Sequence, residues 1–450
     1  MSKWRLSEFT QVVRDNISGD WLLHNSFMGA VARIPGKKSI YLESSLKAGL
    51  EKRRQSPVEE IEEPDADDLL LSELCRGGFF VPSDTDERKL ATEIIDKERE
   101  TGFGLIILPH ENCNFRCVYC YESFERGKMA PNIVTGLKIF VDQKAKEVKR
   151  ISVNWFGGEP LLARDVVYQL SSAFLESCNR YGALYTSSMT TNGYYLTPDR
   201  VDMLITSEVR HYQVTLDGPE QAHNATRKLI KGGGTYKRIL DNLVAMRNRN
   251  DDFKVTIRVN FNDTSVALMD DFLDEIASFI DGDLRFDLDF HAMGRWGGPN
   301  DSSLEVCDAD SVEAIKIDLI KKSMRRGFSN KSIKEYLNPH GNICYAGKEN
   351  SIVVGSDGTI YKCTVAFSDP RNQVGKLQED GSLLIDETRW NLWTKFDDKN
   401  ISKCKSCSFS PSCQSRSCPL IAIEQKEPPC PMTKAGYESL VKLASISRPL

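Results

Sequence analysis

Short apolar runs alternate with longer amphipathic segments between about residues 101 and 326. Such alternation is typical of repeated strand–helix units, which build a parallel sheet because each helix returns the chain to the same end of the sheet. The apolar runs predict six strands, at residues 103–108, 151–156, 184–191, 212–216, 255–261 and 284–290. Six such units predict an α/β fold with a partial (β/α)6 barrel, whose chemistry gathers on the loops after the carboxyl ends of the strands.

Three cysteines follow the first predicted strand, at Cys113, Cys117 and Cys120. Three thiolates can hold three irons of a four-iron cubane and leave the fourth iron open. A structural zinc site needs four ligands, usually as two spaced pairs, and no fourth cysteine lies close by in the sequence. The pattern therefore favours an iron–sulfur cluster, with a zinc site as the alternative.

The spacing of these cysteines, with the aromatic Tyr119 directly before the last one, resembles the signature of the radical S-adenosylmethionine (radical SAM) enzymes. The resemblance implies that the amine and carboxylate of SAM chelate the open iron. It also implies that one electron from the cluster splits the sulfonium, and that the resulting 5'-deoxyadenosyl radical abstracts a hydrogen atom from unreactive carbon. A flavodoxin- or ferredoxin-type electron donor is implied as well.

Motifs after the next strands match the places where that family binds SAM. A double glycine followed by Glu159 lets the backbone approach a ligand without a Cβ, and the carboxylate can accept from an amine. Side chains after the third strand can hydrogen-bond a ribose. A further motif begins at Thr215 after the fourth strand, and Arg227 resembles an arginine that relatives place near the methionyl end of SAM. The alternative for each is a turn former or an ion-pair partner. The predicted cofactor-binding residues are Tyr119, Gly157, Gly158, Glu159, Thr191, Asn192, Thr215 and Arg227.

The C-terminal third carries a second set of candidate ligands, namely Cys344, Cys363, Cys404, Cys407, Cys413, Cys418 and Cys430. The surrounding segments are loop-rich and contain little apolar sequence, so a bound metal would supply stability. Beside a radical SAM core, this array resembles the SPASM domain, which carries two auxiliary [4Fe-4S] clusters. Zinc sites are the alternative.

The SPASM resemblance assigns the cysteines to two clusters and so predicts three [4Fe-4S] clusters in all. One auxiliary cluster takes Cys404, Cys407, Cys413 and Cys430. The other takes Cys344, Cys363 and Cys418. Because this second set has only three cysteines, its fourth iron is predicted to be open, or to bind His340 or the substrate.

Residues 1–95 read as a small α+β module that resembles the winged-helix leader-recognition elements of peptide-modifying radical SAM enzymes. A cap on the barrel is the alternative. The predicted domains are therefore residues 1–95, a radical SAM barrel at 96–330 and a SPASM domain at 331–450.

The net charge of −5 provides no basic field for nucleic acid or an anionic membrane. The start of the chain lacks the apolar core of a signal peptide, and no run of about 18 apolar residues occurs. These features predict a cytoplasmic protein. Most of its thirteen cysteines are grouped, which indicates ligation rather than disulfides.

The resemblance to SPASM enzymes predicts maturation of a ribosomally synthesised precursor peptide, with a thioether or carbon–carbon crosslink as product. The alternatives are a sulfatase-maturing, formylglycine-generating enzyme, a peptide epimerase, and a non-catalytic iron–sulfur or zinc scaffold. Cys307 is a candidate hydrogen-atom donor in an epimerase or an inert loop cysteine, and His291 either points into the barrel or is structural.

Overall fold

The computed structural model describes residues 3–36, 42–44, 46–47, 60–62, 68–329, 331–395 and 402–446. The chain divides into two compact units. The first unit consists of Met1–Lys97, Asn330–Cys344 and Phe396–Leu450, and the second consists of Glu98–Ser329 and Tyr345–Lys395. Each unit thus combines segments that are distant in sequence, and the three-domain division stays a prediction.

The described residues form strands that are, in chain order, β1 (Lys3–Leu6), β2 (Thr10–Arg14), β3 (Trp21–Asn25), β4 (Ala30–Ile34), β5 (Glu60–Glu62), β6 (Phe80–Pro82), β7 (Gly102–His110), β8 (Phe115–Cys117), β9 (Arg150–Gly157), β10 (Leu184–Thr191), β11 (Val209–Thr215), β12 (Arg227–Leu229), β13 (Lys254–Phe261), β14 (Phe286–Ala292), β15 (Ser351–Val354), β16 (Thr359–Tyr361), β17 (Gln373–Leu377) and β18 (Leu383–Ile385).

The helices are α1 (Leu69–Arg76), α2 (Glu87–Thr101), α3 (Pro131–Ala145), α4 (Arg164–Tyr181), α5 (Pro198–Thr206), α6 (Glu220–Thr226), α7 (Tyr236–Arg247), α8 (Asp263–Val266), α9 (Met269–Ile280), α10 (Ala309–Arg325), α11 (Lys331–Leu337), α12 (Glu387–Thr394), α13 (Ser402–Lys405), α14 (Ser410–Cys413), α15 (Pro419–Gln425) and α16 (Lys434–Ile446). Local sequence explains several of their ends. Pro131 and Pro198 stand at the first helical positions of α3 and α5, where a missing N–H costs nothing, and Gly182 ends α4 at a φ of 71°.

Ten strands of the second unit form one sheet in the order β14-β13-β11-β10-β9-β7-β15-β16-β17-β18. Six strands of this sheet follow one another across it in chain order, and each pairs in parallel with the next. They are β7, β9, β10, β11, β13 and β14. At least one helix connects each of them to the next. The predicted α/β fold of six parallel strand–helix units is therefore confirmed.

The two faces of the parallel strands differ in polarity. In β13, Val255, Ile257 and Val259 are buried, whereas Thr256 and Arg258 are partly exposed. Successive residues of a strand point to opposite faces, so one face of the sheet belongs to the apolar core and the other carries polar side chains. The polar face is the one available to ligands.

The C-terminal part of the second unit extends the same sheet. Strand β15 pairs in parallel with β7, and Ser351 lies opposite Gly104. Strands β16, β17 and β18 then add in antiparallel order. The predicted hairpin after residue 351 is confirmed, with Gly358 at a φ of 84° in its turn, but its attachment to the first barrel strand was not predicted.

The first unit contains two three-stranded antiparallel sheets, β5-β1-β6 and β2-β3-β4. His24 of β3 is fully buried, and its Nε2 lies 2.8 Å from the carbonyl oxygen of Leu337. Its Nδ1 bonds the hydroxyl of Tyr437 in α16. Gln11 Nε2 donates to Ser408 Oγ at 2.7 Å. The N-terminal strands and the C-terminal cysteine-rich segment therefore share one core.

Candidate functional site

A cavity of about 140 Å³ lies in the second unit, where strands β9, β10 and β11 end. Ten of the predicted site residues line it, namely Cys113, Cys117, Tyr119, Cys120, Gly157, Gly158, Thr191, Asn192, Thr215 and Arg227. They come from loops that are far apart in sequence and meet because parallel strands end at the same edge of the sheet. Glu159 is the one predicted residue of this group that does not line the cavity.

The cysteine loop begins after β7 and contains β8, which pairs in antiparallel with β12 to form a short ribbon. Cys117 lies opposite Arg227 in this ribbon. The N–H of Phe115 lies 3.3 Å from Cys113 Sγ, and Asn192 Nδ2 lies 3.6 Å from the same sulfur. The Cys113 thiol thus lies close to two donors that can stabilise sulfur-bound negative charge.

Burial raises the pKa of all three thiols, and it raises that of Cys120 to about 12. A thiolate here therefore needs a bound cation. The side-chain nitrogen of Asn114 is buried and has no hydrogen-bond partner among the described residues. Within the described ranges, no three His, Cys, Asp or Glu side chains converge on a single metal ion. The three thiols line one cavity, and that arrangement fits three corners of a [4Fe-4S] cluster.

The double glycine brings the end of β9 against the cysteine loop. A Cβ on Gly157, whose φ is 111°, would lie 2.6 Å from the carbonyl oxygen of His110. A Cβ on Gly158 would lie 2.5 Å from the carbonyl oxygen of Asn112. The N–H groups of Gly158 and Glu159 donate to these same two oxygens at 3.2 Å. The glycines are therefore needed for packing against the loop, a reason that the sequence analysis did not give.

Glu159 is fully buried, and the protein itself occupies its carboxylate. The carboxylate accepts from the N–H of Leu161 at 3.0 Å, from Thr191 Oγ1 at 2.8 Å and from the N–H of Asn192 at 2.8 Å. Burial raises its pKa, and these hydrogen bonds oppose the rise. The structure thus differs from the expectation that Glu159 accepts from a ligand amine, because the side chain turns inward to hold Thr191 and Asn192.

Arg227 is a buried cation in the cavity wall. Its Nη1 donates to the Tyr119 hydroxyl at 2.7 Å, and its guanidinium lies 5.5 Å from the ring centre of Phe115. Its Nε is buried and has no hydrogen-bond partner in the part of the chain that the structure describes. An unpaired donor on a permanent cation fits an anionic ligand group such as a carboxylate.

Sequence reasoning missed two acidic residues at this site. Glu122 lines the cavity, and burial together with the nearby Glu111 raises its pKa to about 8. Asp217 is 1% exposed and accepts hydrogen bonds from Tyr119 and Asn260. In the sequence, Glu122 does not differ from an ordinary loop carboxylate, and Asp217 is marked only by its place in the loop after the fourth predicted strand.

The predicted ligands of one auxiliary cluster lie together in the first unit. Burial raises the pKa of Cys413 to about 12, and the nearby thiols of Cys407, Cys404 and Cys430 add to the rise. The N–H of Cys407 donates to the carbonyl oxygen of Cys404 at 3.2 Å. These four thiols are therefore within electrostatic range of one another at Cys413, although they span 27 positions of sequence.

The other predicted auxiliary ligands are divided between the units. Cys344 and Cys418 belong to the first unit, where the N–H of Cys344 donates to the carbonyl oxygen of Arg416 at 2.9 Å. Cys363 belongs to the second unit and follows β16. His340 Nδ1 lies 3.0 Å from Gln414 Nε2. Ligation by Cys344, Cys363, Cys418 or His340 stays a prediction.

Two further candidates lie outside the cavity lining. Burial and Asp263 raise the pKa of Cys307 to about 11, and its thiol is buried. Burial and the charges of Arg258 and Lys316 lower the pKa of His291 to about 3. Hydrogen-atom donation by Cys307 stays a prediction.

Comparison with known proteins agrees with this geometry. Residues 107–275 match the model of the radical SAM superfamily. A cysteine-type anaerobic sulfatase-maturating enzyme of Clostridium novyi is 24% identical over 339 residues, which are 70% of this chain and 87% of that protein.

Two solved structures share the fold. The anaerobic sulfatase maturase anSMEcpe, with bound AdoMet and the Cp18Cys peptide, has a TM-score of 0.54 at 16% identity, covering 76% of this chain and 97% of that one. Streptococcus suis SuiB, bound to the precursor peptide SuiA, has a TM-score of 0.51 at 15% identity, covering 94% and 98%. The match to the family model identifies residues 107–275 as a radical SAM domain. No helix within the described residues is long and apolar enough to span a membrane.

Proposed function

We propose that this chain is a radical SAM enzyme that installs a crosslink, a thioether or a carbon–carbon bond, in a ribosomally synthesised peptide. The observation that carries the proposal is the cavity in which Cys113, Cys117 and Cys120 face the glycine turn and the unpaired Nε of Arg227. A scaffold that only binds metal needs no such turn and no buried unpaired cation beside its cysteines.

The three cysteines would hold a [4Fe-4S] cluster with one open iron, and SAM would occupy the rest of the cavity. When bound, the two supply the radical that abstracts a hydrogen atom. Arg227 would hold the SAM carboxylate with its unpaired Nε, and Asn192 and Thr215 would offer polar groups to the ribose. Phe115 and Phe156 form an apolar part of the cavity wall. This part would exclude water and so protect a reactive intermediate.

A peptide substrate is supported by the relatives. SuiB has been solved with a precursor peptide and anSMEcpe with a short peptide. In the first unit of this chain, small antiparallel sheets form the N-terminal segment, and such sheets recognise peptides by pairing with their backbone. We assign leader recognition to residues 1–95 on this basis.

The C-terminal cysteines would hold two auxiliary clusters. The electrostatic effect of Cys404, Cys407 and Cys430 on Cys413 supports the first of them. The second would use Cys344, Cys363 and Cys418, and its open position suits the thiolate of a substrate cysteine, which favours a thioether. Electrons would come from a flavodoxin- or ferredoxin-type donor in the cytoplasm.

Sulfatase maturation is the second candidate, because the Clostridium novyi relative carries that name. The products distinguish the candidates. Holoenzyme with SAM and a reductant is incubated with a peptide encoded beside its gene, or with a sulfatase-derived cysteine peptide, and analysed by mass spectrometry. A crosslink removes two hydrogens, whereas formylglycine formation from cysteine removes two hydrogens and also replaces the sulfur by oxygen. An epimerase leaves the mass unchanged in water and adds one deuterium in D2O. Modification of the sulfatase peptide alone would overturn the proposal.

A further inference from the structure

Asp217 is the centre of a buried hydrogen-bond network beside the cavity. One of its carboxylate oxygens accepts from the Tyr119 hydroxyl. The other accepts from the backbone N–H of Asn260 at 3.0 Å and from Asn260 Nδ2 at 3.1 Å. The Tyr119 hydroxyl in turn accepts from Arg227 Nη1 at 2.7 Å. A carboxyl group and a guanidinium, both buried, are therefore joined through one phenol.

A second set of hydrogen bonds joins the backbones of the same two residues. His223 is fully buried, and its Nδ1 accepts from the N–H of Asp217 at 3.1 Å. Its Nε2 must then carry the proton, and it lies 3.0 Å from Thr235 Oγ1. Thr235 Oγ1 donates to the carbonyl oxygen of Arg227 at 2.7 Å. Burial lowers the pKa of His223 well below its ordinary value, so the neutral form persists.

This network also reaches the cysteine loop. Tyr119 lies between Cys117 and Cys120 in sequence, and Cys117 lies opposite Arg227 in the β8–β12 ribbon. The network fixes Nη1 of Arg227 on the phenol, which leaves the unpaired Nε as a donor for a ligand. Without Asp217, the buried guanidinium would lose its charge partner and turn toward another acceptor.

We propose that Asp217 is a positioning residue that orients Arg227 for the carboxylate of SAM, with His223 and Thr235 fixing the backbone. This inference rests on the proposed function, because it assumes that SAM occupies the cavity. It goes beyond that function by naming residues that do not contact SAM themselves but determine how strongly Arg227 binds its carboxylate.

The test compares two ligands that differ only in the carboxylate. Affinities of SAM and decarboxylated SAM are measured by competition on anaerobic holoenzyme, for wild type, Asp217→Asn and Thr235→Val. Both variants should lower the preference for SAM over decarboxylated SAM, by about tenfold for Asp217→Asn, because a charge-assisted contact is lost. Thr235→Val keeps every charge and tests the network should Asp217→Asn fail to fold. The exposed Asp202, which pairs with Arg249, provides the control Asp202→Asn with unchanged preference.

The variant Arg227→Ala distinguishes failure of the proposed SAM contact of Arg227 from failure of the positioning role of Asp217. If Arg227→Ala leaves the preference for SAM unchanged, the proposed role of Arg227 in SAM binding is wrong. If it lowers the preference while Asp217→Asn and Thr235→Val retain the wild-type preference, the positioning inference alone is wrong. Equal weakening of both ligands by Asp217→Asn would show a purely structural role, which also overturns the inference.

Discussion

Substitution of Gly158 by alanine tests the packing of the glycine turn on the cysteine loop. The new Cβ would lie 2.5 Å from the carbonyl oxygen of Asn112 and 3.0 Å from the backbone nitrogen of Cys113. Ordinary contact begins at 3.4 Å, so the backbone must separate by 3.4 − 2.5 = 0.9 Å at the first contact. Overpacking of this kind costs about 1–3 kcal/mol, and the shift moves the first cysteine ligand.

Chemical denaturation, iron content and 5'-deoxyadenosine formation are measured on the reconstituted variant. Gly158→Ala should lower the free energy of unfolding by about 1–3 kcal/mol and should reduce both iron loading and SAM cleavage. Gly127→Ala is the matched control, since nothing lies within 4 Å of its Cβ position, and it should change stability by less than about 0.5 kcal/mol. A Gly158→Ala enzyme that loads iron and cleaves SAM like the wild type would refute the close packing.

Two other predictions concern the first unit. The pKa of His24 is about 4 when folded and 6.5 when unfolded, so the unfolded state binds more protons between these values. The free energy of unfolding should therefore fall by about 3 kcal/mol as the pH drops from 6.5 to 4. Denaturation at several pH values should show that His24→Gln loses most of this pH dependence. An equal pH dependence in both proteins would contradict the burial of His24. Cys413→Ala should lower the iron count by about four yet retain peptide-independent SAM cleavage, because the first cluster lies in the other unit; unchanged iron would exclude an auxiliary cluster there.

The strands of the barrel could be predicted from the sequence because the core requires apolar residues on one face of each strand, at alternate positions. Ile257 and Val259 are buried as their alternation indicates. Strand β15 could not be assigned to the same sheet, since Ser351 pairs with Gly104 across almost 250 positions of sequence. Pairing of that kind depends on tertiary contacts, which local patterns do not record.

The site was predictable where residue type alone determines the chemistry. Cysteine spacing and the glycine turn belong to that class, and the cavity brings these residues together. Glu159 illustrates the limit, because its carboxylate is taken by Thr191 and Asn192 rather than turned to a ligand. Hydrogen-bond direction depends on side-chain rotamers, so neither this arrangement nor the role of Asp217 could be read from the sequence.

The central claim is tested most directly by counting iron and sulfide after anaerobic reconstitution, together with an assay for 5'-deoxyadenosine. Wild type is compared with a variant in which Cys113, Cys117 and Cys120 are all replaced by alanine. We predict about twelve irons in the wild type, falling by about four in the variant, with complete loss of SAM cleavage. Zinc in place of iron, or SAM cleavage that survives the triple substitution, would contradict the account.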